Sequence, residues 1–244
     1  MKPSIVLVHG AWHGGWCWAP VRSHLEAAGH RVFTPSLTGL GERMHLGDPV
    51  PGLATHVADI VNLIEAEELR NVVLVGHSYA GMVITGAADA VRGRLCHLVY
   101  LDAAVPADGQ TFASFVPGLA AEDIRRRESA FRAMSPDGLW LPPVAPAVVG
   151  VTEPHDVQWL KRRLGPHPLR SWLEPVALPN GGHAGIRKTY VVATNPPTTT
   201  MGYPLVADIA RTVGEWRVHD IACGHDMMIA DPTTTARFIL EAAA

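Results

Sequence analysis

The sequence predicts an α/β domain: a mostly parallel sheet flanked by helices, with an inserted, largely helical cap. Three observations carry this. Short apolar runs rich in β-branched residues alternate with segments of helical period, the pattern of βαβ crossovers. The alternation breaks across residues 106–185. It then resumes to the end of the chain, so that residues 1–105 and 186–244 read as one core and residues 106–185 as a cap inserted into it.

Each element follows from a local pattern. Ser4-Ile5-Val6-Leu7-Val8 is continuously apolar after its serine, as a strand buried on both faces is. Residues 20–28 form a helix closed by Gly29, and Arg31-Val32-Phe33-Thr34-Pro35 is a second strand before the glycine-rich loop 37–43. Val57, Ile60, Val61 and Ile64 recur at helical spacing within residues 55–67. Asn71-Val72-Val73-Leu74-Val75 is the third strand; the chain turns sharply over residues 76–81 and is helical from Met82. Residues 95–101 make a fourth strand. Inside the cap, residues 121–134 and 157–164 read as helices and Leu141-Pro142-Pro143 as a joint. A strand at 189–193, a helix at 205–213, a strand at 216–221 and a helix from Pro232 complete the core.

Composition narrows the class. A chain of 244 residues that is 48% apolar and 18% charged can bury one large core. The net charge of −3, with both signs interspersed, leaves no basic stripe for nucleic acid. The N-terminal Met1-Lys2-Pro3-Ser4 lacks a signal-peptide pattern, and no apolar run reaches the roughly 18 residues of a membrane span. A soluble, cytoplasmic protein acting on a small molecule is expected. Cys17, Cys96 and Cys223 are odd in number and far apart, which gives neither a disulfide framework nor a zinc spacing.

The chemistry-bearing signal is Gly76-His77-Ser78-Tyr79-Ala80-Gly81, directly after a strand and before a helix. A nucleophile elbow needs small residues two before and two after its serine, because the turn crowds the neighbouring backbone. Gly76 and Ala80 meet that need, with Ala80 in place of the usual second glycine. Ser78 then stands at a helix N-terminus, where dipole and free N–H groups favour developing negative charge. A serine hydroxyl needs a base. In this architecture the histidine lies on a loop after the last strand, which selects His225 in Cys223-Gly224-His225-Asp226 from thirteen histidines. His77 should point away from the nucleophile. The expected oxyanion donors are the backbone N–H of Tyr79 and that of Ala11, with Trp12 as the alternative to Ala11, in the loop His9-Gly10-Ala11-Trp12-His13-Gly14-Gly15-Trp16. Trp12, His13 and Trp16 of that loop are the expected substrate contacts; Phe112, Phe115, Trp140, Trp159 and Trp172 are further candidates for an aromatic wall. His9 and His13 span a strand end and a glycine turn without a third ligand, so no metal is expected.

Together, the His9–Trp16 motif, the Ser78 elbow and the late Gly224-His225 resemble one branch of the α/β-hydrolase superfamily, that of the plant methylesterases and hydroxynitrile lyases with many bacterial esterases. Leu40-Gly41-Glu42-Arg43 and Tyr100-Leu101-Asp102-Ala103 look like its bacterial members, among them hydrolases of methyl carbamates and small aromatic esters. The resemblance covers nearly the whole chain and is weakest in the cap. It implies an α/β-hydrolase core with a small cap over the site, and no cofactor. Hydroxynitrile lyases of the branch carry Thr after the first-strand histidine and Lys after the catalytic one. Gly10 and Asp226 stand there instead, which favours hydrolysis over lyase chemistry.

One family feature is missing. The triad acid of this branch follows the strand before the last, yet that stretch reads Ala193-Thr194-Asn195-Pro196-Pro197-Thr198, without a carboxylate. Asp102, at the end of the strand after the elbow helix, is the preferred replacement; Asp220, Asp208 and the uncharged Asn195 are alternatives. The expected function is cleavage of a carboxyl ester or a related carbamate or amide bond through an acyl-enzyme on Ser78. A C–C lyase and a non-catalytic ligand-binding protein of the same fold are the competing readings, the second supported by the missing acid.

Overall fold

The computed structural model describes residues 2–244. Its strands are β1 (Ser4–Val8), β2 (Val32–Phe33), β3 (Val72–His77), β4 (Leu95–Leu101), β5 (Trp140–Leu141), β6 (His167–Pro168), β7 (Arg187–Ala193) and β8 (Trp216–Ile221). Its α-helices are α1 (Ala19–Ala27), α2 (Leu53–Ala66), α3 (Ala80–Val91), α4 (Ala121–Ala133), α5 (Pro154–Lys161), α6 (Arg170–Leu173), α7 (Tyr203–Val213), α8 (Met227–Ala230) and α9 (Pro232–Ala242). Six strands form one parallel sheet in the order β2-β1-β3-β4-β7-β8.

The continuous apolar runs are explained by this sheet. Along β3, Val72 and Leu74 enter the core on one face while Val73 and Val75 enter the core on the other; β1, β4 and β7 divide in the same alternating way. A strand buried on both faces has no polar side to alternate with. Helices α2, α3 and α7 supply residues to the first core, and α1, α8 and α9 to the second. The edge strand β2 is shorter than the sequence predicts. It pairs with β1 only at Val32 and Phe33, and Pro35 has no N–H with which to extend the ladder.

The segment between β4 and β7 leaves the sheet and returns to it, because those strands pair from His97↔Arg187 to Leu101↔Val191. Helices α4, α5 and α6 lie in it. So does an antiparallel pair, β5–β6, which the sequence did not announce because each strand is only two residues long. Helix α5 begins at Pro154, three residues before its predicted start, with proline in the first turn where a missing N–H costs nothing. No helix among the described residues is long and apolar enough to cross a membrane.

The register places the chemistry. Val8, Gly76 and Tyr100 stand in one row across β1, β3 and β4, so the residues that follow them emerge together at the C-terminal edge of the sheet. That edge is where open α/β sheets bind ligands.

Candidate active site

Ser78 has a left-handed backbone, φ 57°, which costs a non-glycine residue of order 1–2 kcal/mol. Three hydrogen bonds hold it there: Ser78 N–H donates to Leu101 O (3.2 Å), and Gly81 N–H and Ala104 N–H both donate to Ser78 O (3.1 Å each). The small residues of the motif are needed for this. A Cβ at Gly81 would lie 1.9 Å from Ala104 O, and one at Gly76 would lie 2.9 Å from Ala80 O. Ala80 itself is accommodated with its methyl group.

Asp102 follows β4 and is also left-handed, φ 44°. Its N–H donates to Val191 O (2.7 Å), and its Oδ1 accepts from Ala193 N–H (3.3 Å). Its Oδ2 lies 2.6 Å from His225 Nδ1, with the carboxylate fully buried. A carboxylate only accepts, so Nδ1 carries the proton and Nε2 is the basic nitrogen. Asn195 is exposed, and its N–H donates to Cys223 O. Asp220 is tied to Arg211 and Asp208 pairs with the same arginine, both at the surface.

His77, expected to point away from Ser78, donates its Nε2–H to His225 O (3.0 Å) and so supports the histidine loop. Burial and the neighbouring His225 push His77 well below its ordinary value, which keeps it neutral. The other side of that loop meets the cap. Asp226 N–H donates to Val149 O (2.9 Å), and a Cβ on Gly224 would lie 2.5 Å from the Cα of Gly150.

The oxyanion loop separates the two candidate donors. Trp12 N–H donates to His167 Nδ1 (3.4 Å) and is committed to the cap. Among the described residues, Ala11 N–H and Tyr79 N–H have no acceptor and remain available. Trp12, at φ 66°, is further fixed by Gly165 N–H to its carbonyl (3.0 Å) and by its indole N–H to Leu141 O (3.2 Å). His9 is satisfied on both nitrogens, with Nδ1–H to Gly10 O (2.8 Å) and Nε2 accepting from Leu37 N–H (3.0 Å). Burial pushes it down to about 3, so it is a neutral brace for the loop.

A cavity of about 180 Å³ exposes Ser78 and His225 together. Its wall is mostly apolar, from Trp12, Phe112, Phe131, Val148 and Trp172 among others, with Thr198 and Thr200 adding hydroxyls. Two of the expected substrate contacts are corrected here. His13 and Trp16 do not line this cavity. His13 is buried behind the oxyanion loop, with Nε2 3.1 Å from Asp226 Oδ2 and Nδ1 2.7 Å from Ala11 O. Trp16 stacks on His13 (5.4 Å) and packs against Trp159 (5.0 Å) in the second core. Phe115 lies behind Tyr203, and Trp140 packs towards Gly39 and Gly47.

His13 faces an acceptor on each nitrogen, a carbonyl and a carboxylate, so both nitrogens carry protons. Burial opposes that charge, but Asp226 and the two hydrogen bonds outweigh it and raise His13 above its ordinary value. Burial likewise opposes the Asp226 carboxylate, and the charge and hydrogen bond of His13 hold it below the usual range. His77, His225 and Asp226 offer three potential ligand atoms within 4.8 Å of one another; His77 Nε2–H already donates to His225 O, and Asp226 Oδ2 already accepts from His13.

Sequence reasoning missed Tyr203. Its hydroxyl lies 3.2 Å from Ser78 Oγ, and its ring stacks on His225 with centroids 5.3 Å apart and planes 3° apart. The available signal was Gly202-Tyr203-Pro204 at a strand-to-helix turn on the ligand-binding edge. Gly202 is left-handed and precedes α7, which begins at Tyr203 with Pro204 in its first turn, before the apolar periodicity that the pattern detects.

A parallel sheet with a strained serine and a carboxylate-backed histidine at its C-terminal edge has the architecture of an α/β-hydrolase. The chain belongs to the alpha/beta hydrolase family, whose sequence model matches residues 5–238. It is similar to a carbendazim hydrolyzing esterase of Nocardioides sp. (strain SG-4G), with 40% identity over 237 residues that cover 96% of both chains. Methylesterase 3 of Arabidopsis thaliana is 33% identical over 150 residues, 56% of this chain and 53% of that one. In fold, the chain matches an extracellular alpha/beta-hydrolase from a Paenibacillus species with a TM-score of 0.82, 24% identity and 99% of both chains covered.

Proposed function

We propose that this protein is a serine esterase that cleaves a carboxyl ester or carbamate of a small, apolar or aromatic molecule. The observation that carries the reading is the buried 2.6 Å contact between Asp102 and His225, beside a cavity that holds both His225 and the elbow serine. His225 Nε2 takes the Ser78 proton as Oγ bonds to the carbonyl carbon, and the Ala11 and Tyr79 amides receive the oxyanion. The imidazolium returns the proton to the departing alkoxide, which leaves as an alcohol. Water then attacks the acyl-enzyme with His225 again as base, releasing the acid and restoring Ser78.

The substrate class follows from the wall and from the relative. An apolar, aromatic-lined cavity suits a flat hydrophobic body. Carbendazim, the compound in the name of the 40%-identical relative, is a methyl carbamate on an aromatic heterocycle. A non-catalytic binder has no use for a buried carboxylate on His225. A lyase of the plant type lacks space for its threonine, because a Cβ at Gly10 would lie 2.8 Å from His77 Nδ1.

The test is active-site labelling with a fluorophosphonate, followed by turnover of nitrophenyl acetate and a methyl arylcarbamate. Stoichiometric labelling and a product burst are expected, both lost in Ser78→Ala with a fall in kcat of at least about 10³. An unlabelled wild-type protein would overturn the reading.

A further inference from the structure

Ester cleavage as proposed leaves unused the polar group of the cavity that touches the serine. Tyr203 is fully buried, yet its hydroxyl reaches the nucleophile, 3.2 Å from Ser78 Oγ. Its ring is held by two stacked neighbours, His225 at 5.3 Å and Phe115 at 5.9 Å. Its backbone is set by Gly202, whose left-handed φ of 84° starts α7 and where a Cβ would press within 2.8 Å of Val116. Tyr190 closes the frame: its hydroxyl donates to Ala103 O (2.8 Å), accepts from Ala103 N–H (3.1 Å), and lies 3.5 Å from Tyr203 O. This is the construction of a site residue, fixed in place by its neighbours. Burial, reinforced by the Asp102 carboxylate, holds the phenol protonated, so it acts as a donor and not as a base.

We propose that Tyr203 is a further catalytic residue, whose hydroxyl donates a hydrogen bond to the leaving-group atom of the substrate. The geometry leaves that role open and fills the others. When Oγ bonds to the carbonyl carbon, the leaving atom is attached to the same carbon, so a hydroxyl within reach of Oγ is within reach of it. The oxyanion is directed to the opposite flank, towards Ala11 after β1 and Tyr79 at the elbow. Tyr203 enters from the β7 side, stacked on His225, the group that must itself face the leaving atom. In the free enzyme the hydroxyl rests on Ser78 Oγ. Once that oxygen becomes an acyl oxygen it is a poorer acceptor, and the hydroxyl is released to the atom on which negative charge develops. Tyr203 keeps its proton throughout; the proton that departs with the alcohol comes from the His225 imidazolium.

The inference rests on the ester-cleavage reading, and one experiment separates the two. The kcat/KM of wild type and Tyr203→Phe, each counted by fluorophosphonate labelling, is measured on acetates running from nitrophenyl through phenyl to alkyl leaving groups. Nitrophenolate needs little help to leave, so the variant should retain its rate there within about threefold. Phenyl and alkyl esters should lose about 10–100-fold, the effect of one hydrogen bond to a charged group, and the dependence on leaving-group basicity should steepen. A uniform loss across the series, or none, overturns the role of Tyr203 while leaving the esterase reading intact. Absence of turnover in wild type removes the esterase reading itself. Should the phenylalanine variant fail to label, 3-fluorotyrosine placed at position 203 keeps the hydroxyl and strengthens it as a donor. The dependence should then flatten, and an unchanged slope overturns the proposal.

Discussion

Asp102 Oδ2 and His225 Nδ1 lie 2.6 Å apart across 123 residues of sequence. The contact exists because β4 lies beside β7, and a left-handed turn at Asp102 aims its carboxylate along the ends of both strands. The second oxygen is taken up by Ala193 N–H, so the group is fixed at two points. A carboxylate in that position holds the imidazole in one tautomer and stabilises its charged form. Asp102→Asn is therefore expected to lower kcat by about 10²–10⁴ with little change in KM. Asn195→Ala, in the stretch where the family carries its acid, should stay within about twofold, since Asn195 is exposed. Steady-state rates of the two variants on one ester check this; an unaffected Asp102→Asn enzyme sinks the assignment.

The fold was legible because βαβ patterning is local. The runs at residues 4–8, 95–101 and 216–221 match the observed strands residue for residue. That Ser78 and His225 would share one cavity was legible for a related reason: both sit on turns between recognisable elements. What the sequence hid depends on which way a side chain points. His13 lies in the oxyanion loop beside Trp12, yet its ring turns under the loop to Asp226, and nothing in the string His13-Gly14-Gly15-Trp16 reports that rotation. Tyr203 reaches the nucleophile across 125 residues, through a helix start that a left-handed glycine moves forward. The cap wall at Phe131 and Val148 is set by packing between short irregular pieces, where periodicity has no length in which to appear.

His13 and Asp226 form a buried ion pair that ties the oxyanion loop to the residue after His225. Removing one partner leaves the other charge buried without compensation, which typically costs about 3–5 kcal/mol. Asp226→Asn should lower the melting temperature by about 10 °C, the scale for a domain of this size. The double variant with His13→Asn should lose less than the sum of the two single changes. The pair also has a pH signature. His13 is raised in the folded state, so its contribution is complete below its unfolded value of about 6.5 and is lost as pH rises through the folded one. Asp226 is lowered, so its contribution is complete above about 3.9 and is lost as pH falls through its folded value. Urea unfolding from pH 6 to 10 should show stability falling in wild type along a limb that Asp226→Asn flattens. Parallel curves for the two proteins would rule the ion pair out.

Gly10 tests the boundary between hydrolase and lyase. The plant lyases place threonine at this position, and the obvious experiment is to install it. A Cβ at residue 10 would lie 2.8 Å from His77 Nδ1 and 2.9 Å from Ser78 Cβ, closer than packed atoms tolerate. His77 has no room to yield, since its Nε2–H already supports the His225 carbonyl. The elbow must shift instead, and a displacement approaching 1 Å at a nucleophile costs about 10²-fold in rate. Gly10→Thr is expected to lose at least that much ester turnover and to gain no cyanide release from mandelonitrile. Gly10→Ala should lose nearly as much, because the collision begins at Cβ and not at the hydroxyl. If the threonine variant kept its esterase rate, the crowding argument would fail, and Gly10 would reflect ancestry instead of geometry.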